Sequence, residues 1–323
     1  MTVPPESRFG FYPHRPLWVG SPVPFPKTPA LETSRILGEV ILTCKTPLTK
    51  IFVARDGLVL FAFQTTLPAR KIQEHLNCFY LLLASHAADF TFEAFLPVEE
   101  LSLADILACR YVGETLTGVE LADVNPRTAS FFRDRYLTTH LPVQPAKFDF
   151  SPDSFWDRLG RAAFENAPGY RARRDRVLPE TVYRGAVSDY ARLSSDPLFV
   201  SVLGSLPQVL GPFANKNYAE SLLFAWFVIE AYLYELWREK VRGGQVGAEE
   251  SVSASTLIRD LKTARVLPYE VGNDLHTVRI ARNKVVHDKF RTPPEREPAA
   301  LAIEALKEFI RRDVGLNLNL PLD

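Results

Sequence analysis

From residue 36 to 64 the chain runs in short apolar blocks. Val40-Ile41-Leu42, Ile51-Phe52-Val53 and Leu58-Val59-Leu60-Phe61-Ala62-Phe63 are β-branched or aromatic runs separated by Pro47 and by Asp56-Gly57. Such blocks fit a pleated, half-buried surface and predict strands, and Asp-Gly between two of them predicts a hairpin. The pattern then changes period. Ile72, Leu76, Phe79, Leu82 and Leu83 recur at helical spacing over 68–86. Residues 90–95 alternate like a strand, 102–109 suit a short helix, and 111–119 another strand. Ahead of all this, residues 1–35 mix prolines with aromatics (Phe9, Phe11, Tyr12, Pro13, Pro16, Trp18). Proline fixes φ and removes a donor, which predicts an irregular arm whose aromatics pack on the following domain.

Beyond Leu141-Pro142-Val143-Gln144-Pro145 the pattern is helical almost to the end. Helices are expected over 153–166, 180–193, 197–209, 214–242 (closed by Gly243-Gly244), 253–264, 269–290 and 298–313. Short connections between consecutive helices predict an antiparallel bundle. The expected fold is therefore an α+β N-terminal domain followed by an all-α helical bundle. The expected divisions are 1–145 (α+β, a sensor or regulatory domain of unknown role), 146–185 (connecting helical segment) and 186–323 (bundle).

Composition narrows the function classes. Lys plus Arg and Asp plus Glu both number 38 in 323 residues, so no global basic field draws in nucleic acid and any such site rests on a local patch. The three cysteines, Cys44, Cys78 and Cys109, form no zinc-type pair and suit buried thiols in a reducing compartment. The N-terminus lacks the basic start and apolar run of a signal peptide, and the apolar stretch 221–236 carries Glu230 and Glu235. A cytoplasmic protein without a membrane span is expected. No glycine cradle for a nucleotide and no nucleophile elbow occurs. His14, His75, His86 and His140 stand singly and suit surface or capping positions, and Asp149, Asp153 and Asp157 suit a helix start.

Candidate chemistry gathers in one late segment, Leu275-His276-Thr277-Val278-Arg279-Ile280-Ala281-Arg282-Asn283-Lys284-Val285-Val286-His287. On a helix, Arg279, Asn283 and His287 share one stripe, with His276 on the same side. Arg282 and His287 lie five apart, roughly 140° around the axis, so their tips diverge unless the helix end unwinds; the long Arg side chain could close part of the gap, and two copies facing across a two-fold axis could also bring both onto one phosphate. Arg grips phosphate oxygens and His moves protons near neutral pH. Upstream, Glu230 sits among Phe227-Val228-Ile229 and Ala231-Tyr232-Leu233. A carboxylate in such a helix needs a cation, and Arg282 or Arg279 is the expected partner inside the bundle. The cluster Arg171, Arg173, Arg174 and Arg176 could track an RNA backbone, although charge runs are more often a solvated surface.

R-x4-H alone is weak, arising by chance in roughly one chain in three or four of this size. Its setting is more specific: a Glu-bearing apolar helix, a linker helix, R-N-x-x-x-H in the penultimate helix, and an Ala/Leu-rich closing helix over 299–309. That order resembles the HEPN superfamily, and especially the Apea-like HEPN domains of prokaryotic defence proteins, over about residues 186–323. The resemblance implies a helical domain that forms a homodimer with two R-x4-H motifs in one composite site, acting as a metal-independent endoribonuclease without a cofactor. It implies Arg282 and His287 as the catalytic pair, Asn283 as their polar partner, and Glu230 and Arg279 in support. RNA would be cut by attack of its own 2′-hydroxyl, in an antiviral or toxin-like setting, with a phage-derived or ligand trigger at the N-terminal domain. The alternative is a non-catalytic dimerisation or RNA-binding scaffold in which the Arg-His pair is structural.

Overall fold

The computed structural model describes residues 7–11, 13, 17–22, 39–55, 57–91, 98, 100–101, 107–110, 176–244, 252–287, 295–320 and 322. They belong to two compact units, Met1–Leu96 with Leu101–Val200, and Pro97–Glu100 with Ser201–Asp323.

The first unit is built on a five-stranded antiparallel sheet. Its strands are β1 (Ser7–Phe11), β3 (Val40–Lys45), β4 (Thr49–Ala54), β5 (Val59–Phe63) and β6 (Leu107–Arg110), in the order β3-β4-β5-β1-β6. A separate parallel pair joins β2 (Trp18–Val19) to β7 (Val177–Leu178). Strands β4 and β5 pair as the antiparallel hairpin that the sequence predicts, with Val53 opposite Val59 and Gly57 at φ 90° between them. Helix α1 (Ala69–Thr91) and helix α2 (Glu180–Leu193) pack against each other.

Register explains the core. Phe61 on β5 stands opposite Phe9 on β1 and Ile51 on β4. Its ring meets Phe79 of α1 at 5.2 Å and Tyr190 of α2 at 5.4 Å, both edge-on. T-shaped contacts of this kind add to the burial of each ring.

Three sequence expectations are corrected here. The arm over 1–35 is not irregular throughout: Ser7–Phe11 is a strand inside the sheet, with Phe9 and Phe11 buried. The prolines flank this segment, so all five backbone donors remain available for pairing. The expected helix over 102–109 gives way at Leu107–Arg110 to a strand paired with Ser7–Gly10. The strand expected over 90–95 begins as helix, because Phe90 and Thr91 complete α1; Ala87-Ala88 carry the helix past His86. The strand at 111–119, the helix at 153–166, the boundary at 145, His14, His140, Asp149, Asp153 and Asp157 lie outside the described residues. The chain divides after Val200 and not at 186, since the buried face of α2 (Val182, Tyr183, Ala186, Tyr190) serves the first unit.

Helix α3 (Pro197–Ala214) begins in the first unit and continues in the second. It is long and apolar enough to cross a membrane by composition, but 56% of that window is buried within the protein, as in a core helix. The expected helix over 214–242 starts later, as α4 (Tyr218–Lys240), because Lys216 turns left-handed (φ 61°) and Asn217 caps the new N-terminus.

The second unit then adds α5 (Ala254–Thr263), α6 (Tyr269–His287) and α7 (Arg296–Val314). α4 packs on α5, α6 and α7, and α6 packs on α5 and α7. Tyr232 of α4 stacks on Phe309 of α7 at 4.8 Å, and Trp226, Ile229 and Leu233 are buried beside it. Each such side chain contributes about 1.5–3 kcal/mol by leaving water. An α+β N-terminal region followed by a helical part is therefore the observed architecture.

Candidate functional site

Helix α6 owes its position to its buried stripe, Gly272, Leu275, Val278 and Val285. Gly272 is needed for close approach: a Cβ there would lie 2.4 Å from Cδ of Lys262. The Lys262 stem crosses this point, its ammonium sits 4.0 Å from the centre of the Tyr269 ring, and it donates to Asn273 Oδ1 at 2.9 Å. These contacts tie the start of α6 to α5. The helix stays continuous through His287, so within one copy Arg282 and His287 leave the axis roughly 140° apart.

The opposite side of α6 is open. Asn273, His276, Thr277, Ile280, Lys284, Val286 and His287 are exposed, with Arg279, Arg282 and Asn283 half-buried on the flank. Arg282 Nη1 donates to Asn283 Oδ1 at 3.1 Å. Arg279 Nη2 lies 3.4 Å from His276 Nδ1, a long contact. The Nε atoms of both arginines are shielded from solvent and have no hydrogen-bond partner. A buried donor left unmade costs about 1–3 kcal/mol, and more on a charged group.

Among the described residues no carboxylate neutralises either guanidinium. For Arg279 the helical neighbours at i±3 and i±4 are Leu275, His276, Arg282 and Asn283; for Arg282 they are Val278, Arg279, Val285 and Val286. Several arginines on other helices are held by an acid three residues away, as Arg238 is by Glu235, Arg311 by Glu308 and Arg192 by Asp189. The stripe on α6 is a concentration of positive charge with unused donors.

Glu230 is not the expected partner. It is half-buried on α4, and it makes no ion pair or hydrogen bond with Arg279 or Arg282. The reason is that α4 is not buried on every side: Phe227 is 54% exposed, Ala231 is exposed, and Glu230 stands at the edge of the buried stripe. The buried pair that would have made Arg282 a purely structural residue is therefore not formed. Phe227 on α4, with Ile280 and Val286 on α6, leaves apolar surface at least 40% exposed. The sequence signal for it was present, since α4 is apolar around more of its circumference than one buried stripe requires.

Arg171, Arg173 and Arg174 lie outside the described residues, and Arg176 belongs to the first unit. Among the described residues no cluster of His, Cys, Asp and Glu could hold a metal ion. Cys78 is buried, which pushes its thiol up, and Cys44 is half-buried on β3.

Two histidines expected at the surface or at caps take other roles in the first unit. His75 is buried in the aromatic core, with Nδ1 3.0 Å from the Tyr190 hydroxyl. Burial, helped by the nearby Lys71 charge, lowers its pKa to about 4. His86 Nε2 pairs with Asp189 Oδ2 at 2.8 Å, while Arg192 holds the other oxygen of that carboxylate. Gly185 makes room for the His86 ring, since a Cβ there would sit 2.8 Å from it.

Compared with protein-family models, with curated proteins and with solved structures, the chain matches none of them.

Proposed function

We propose that the second unit is a HEPN-type, metal-independent endoribonuclease that works as a homodimer, with α6 carrying the reacting groups. The observation that supports this reading is the pair of guanidiniums, Arg279 and Arg282, left without a carboxylate and with unused donors on the helix that ends in an exposed imidazole, His287. Polar groups kept for stability are ordinarily partnered; a cationic stripe left open suits an anionic ligand.

The chemistry follows from RNA itself, which carries a nucleophile in its 2′-hydroxyl. His287 of one copy, as the neutral ring, takes the proton from the 2′ oxygen. That oxygen bonds to the adjacent phosphorus as the bond from phosphorus to the 5′ oxygen breaks. The partner subunit's His287, as imidazolium, protonates the departing 5′ oxygen. Arg282 donates to the non-bridging oxygens, where negative charge builds in the transition state. Asn283 orients Arg282 through their mutual hydrogen bond. The products are a 2′,3′-cyclic phosphate and a 5′-hydroxyl, and the proton count closes.

A second copy is what the family resemblance suggests, and it would set two α6 helices against one phosphate. Defence against phage or a toxin-like role, with the first unit sensing a trigger, is the setting that the family resemblance suggests.

The test is single-site substitution in the substrate. An RNA with one 2′-deoxy nucleotide, incubated with the purified chain in EDTA, should resist cleavage at that linkage alone, with cyclic phosphate ends at the others. Cleavage at the deoxy linkage, or 5′-phosphate products, would overturn the mechanism.

A further inference from the structure

Helix α6 presents more than the Arg282 and His287 positions need. His276 and Arg279 lie about two to three turns N-terminal to His287 along the same side, in contact with each other at 3.4 Å and with no acid at helical spacing. Between them and Asn283 sits Ile280, 53% exposed, an apolar side chain on an otherwise polar face. Guanidinium, imidazole ring and aliphatic contact together match the parts of one nucleotide: phosphate, base face and sugar edge.

We propose that His276 and Arg279 form a second subsite on α6, which holds the nucleotide next to the cleaved linkage, so that the substrate is single-stranded RNA with at least two consecutive phosphates. Arg279 donates to the neighbouring phosphate, and the His276 ring stacks on that nucleotide's base. Arg279 lies about 4.5 Å along the axis from Arg282 and about 60° around it, an offset at which two long side chains can reach adjacent phosphates. A single strand is required because a paired base has no free face to offer the ring. The proposal rests on the nuclease reading only for which nucleotide lies next door; binding itself needs no cleavage.

The test uses the full chain and a fluorescein-labelled single-stranded DNA of about ten nucleotides. This probe lacks the 2′-hydroxyl and reports binding alone. Anisotropy is measured across a salt series for wild type, Arg279→Gln, Arg279→Lys and His276→Ala. Arg279→Gln should weaken binding roughly ten- to a hundredfold and lower the slope of log affinity against log salt by about 0.7, as loss of one phosphate contact does. Arg279→Lys should keep the wild-type slope. His276→Ala should weaken binding at least roughly fivefold with the slope intact, as loss of one stacked base does. No binding by wild type overturns the subsite, as does an unchanged slope in Arg279→Gln or a slope that falls equally in Arg279→Lys. RNA left uncut while these binding results hold would remove the nuclease reading and leave the subsite. RNA cut normally with no Arg279 dependence of binding would do the reverse.

Discussion

Two polar constellations in this molecule are built to opposite specifications. In the first unit the polar groups of one cluster partner each other: His75 meets Tyr190, His86 meets Asp189, and Arg192 completes the carboxylate. On α6 of the second unit, Arg279 and Arg282 reach His276 and Asn283 and no carboxylate among the described residues, their Nε atoms have no hydrogen-bond partner there, and the last residue of the helix, His287, is exposed. The first set is what a stable core demands, because a buried polar group without a bond is expensive. The second leaves donors unused at some cost, and the proposed reading explains that cost by an anionic ligand.

The largest effect should come from the core side of this contrast. Phe61→Ala removes the ring on which Phe79 and Tyr190 converge and should cost about 3–5 kcal/mol of stability, measured by denaturant melting of the first unit. A near-neutral result would mean that the aromatic cluster does not organise the unit.

Next in size is a pH dependence from His75. Its folded pKa, about 4, lies below the ordinary 6.5, so between those values the unfolded chain binds the extra proton. Stability is therefore complete above about pH 6.5 and falls as pH drops toward 4, by up to about 3 kcal/mol from this group. His75→Phe should flatten that part of the stability profile. A profile as steep in the variant as in wild type would show that other groups cause it.

The smallest effect sharpens the comparison from the other side. Glu230→Gln should change stability by no more than about 0.5 kcal/mol, because no cation is left behind. A loss of about 3–5 kcal/mol would mean that Glu230 is in fact one half of a buried ion pair.

Local periodicity made much of the fold legible. The hairpin at Asp56-Gly57, α1, and the four helices of the second unit follow from runs and spacings that any window reveals. What escaped was non-local. Ser7–Phe11 becomes a strand because Leu107–Arg110 and Val59–Phe61 pair with it, and nothing within the segment announces partners so far along the chain. The site divides the same way. Spacing placed Arg279, Asn283 and His287 on one stripe, but whether Glu230 reached that stripe depended on how α4 turns its faces, which Phe227 and Ala231 at the surface decide.

The central claim, that the open stripe of α6 cuts RNA, is tested most directly by the initial rate of RNA cleavage in EDTA by wild type and His287→Ala, with thermal melts of both. Because His287 is exposed, the melts should coincide within about 0.5 kcal/mol. The rate should fall by about 10²–10⁴, the usual share of a general acid–base group. Equal rates in the two proteins, or no cleavage by wild type, would contradict the account.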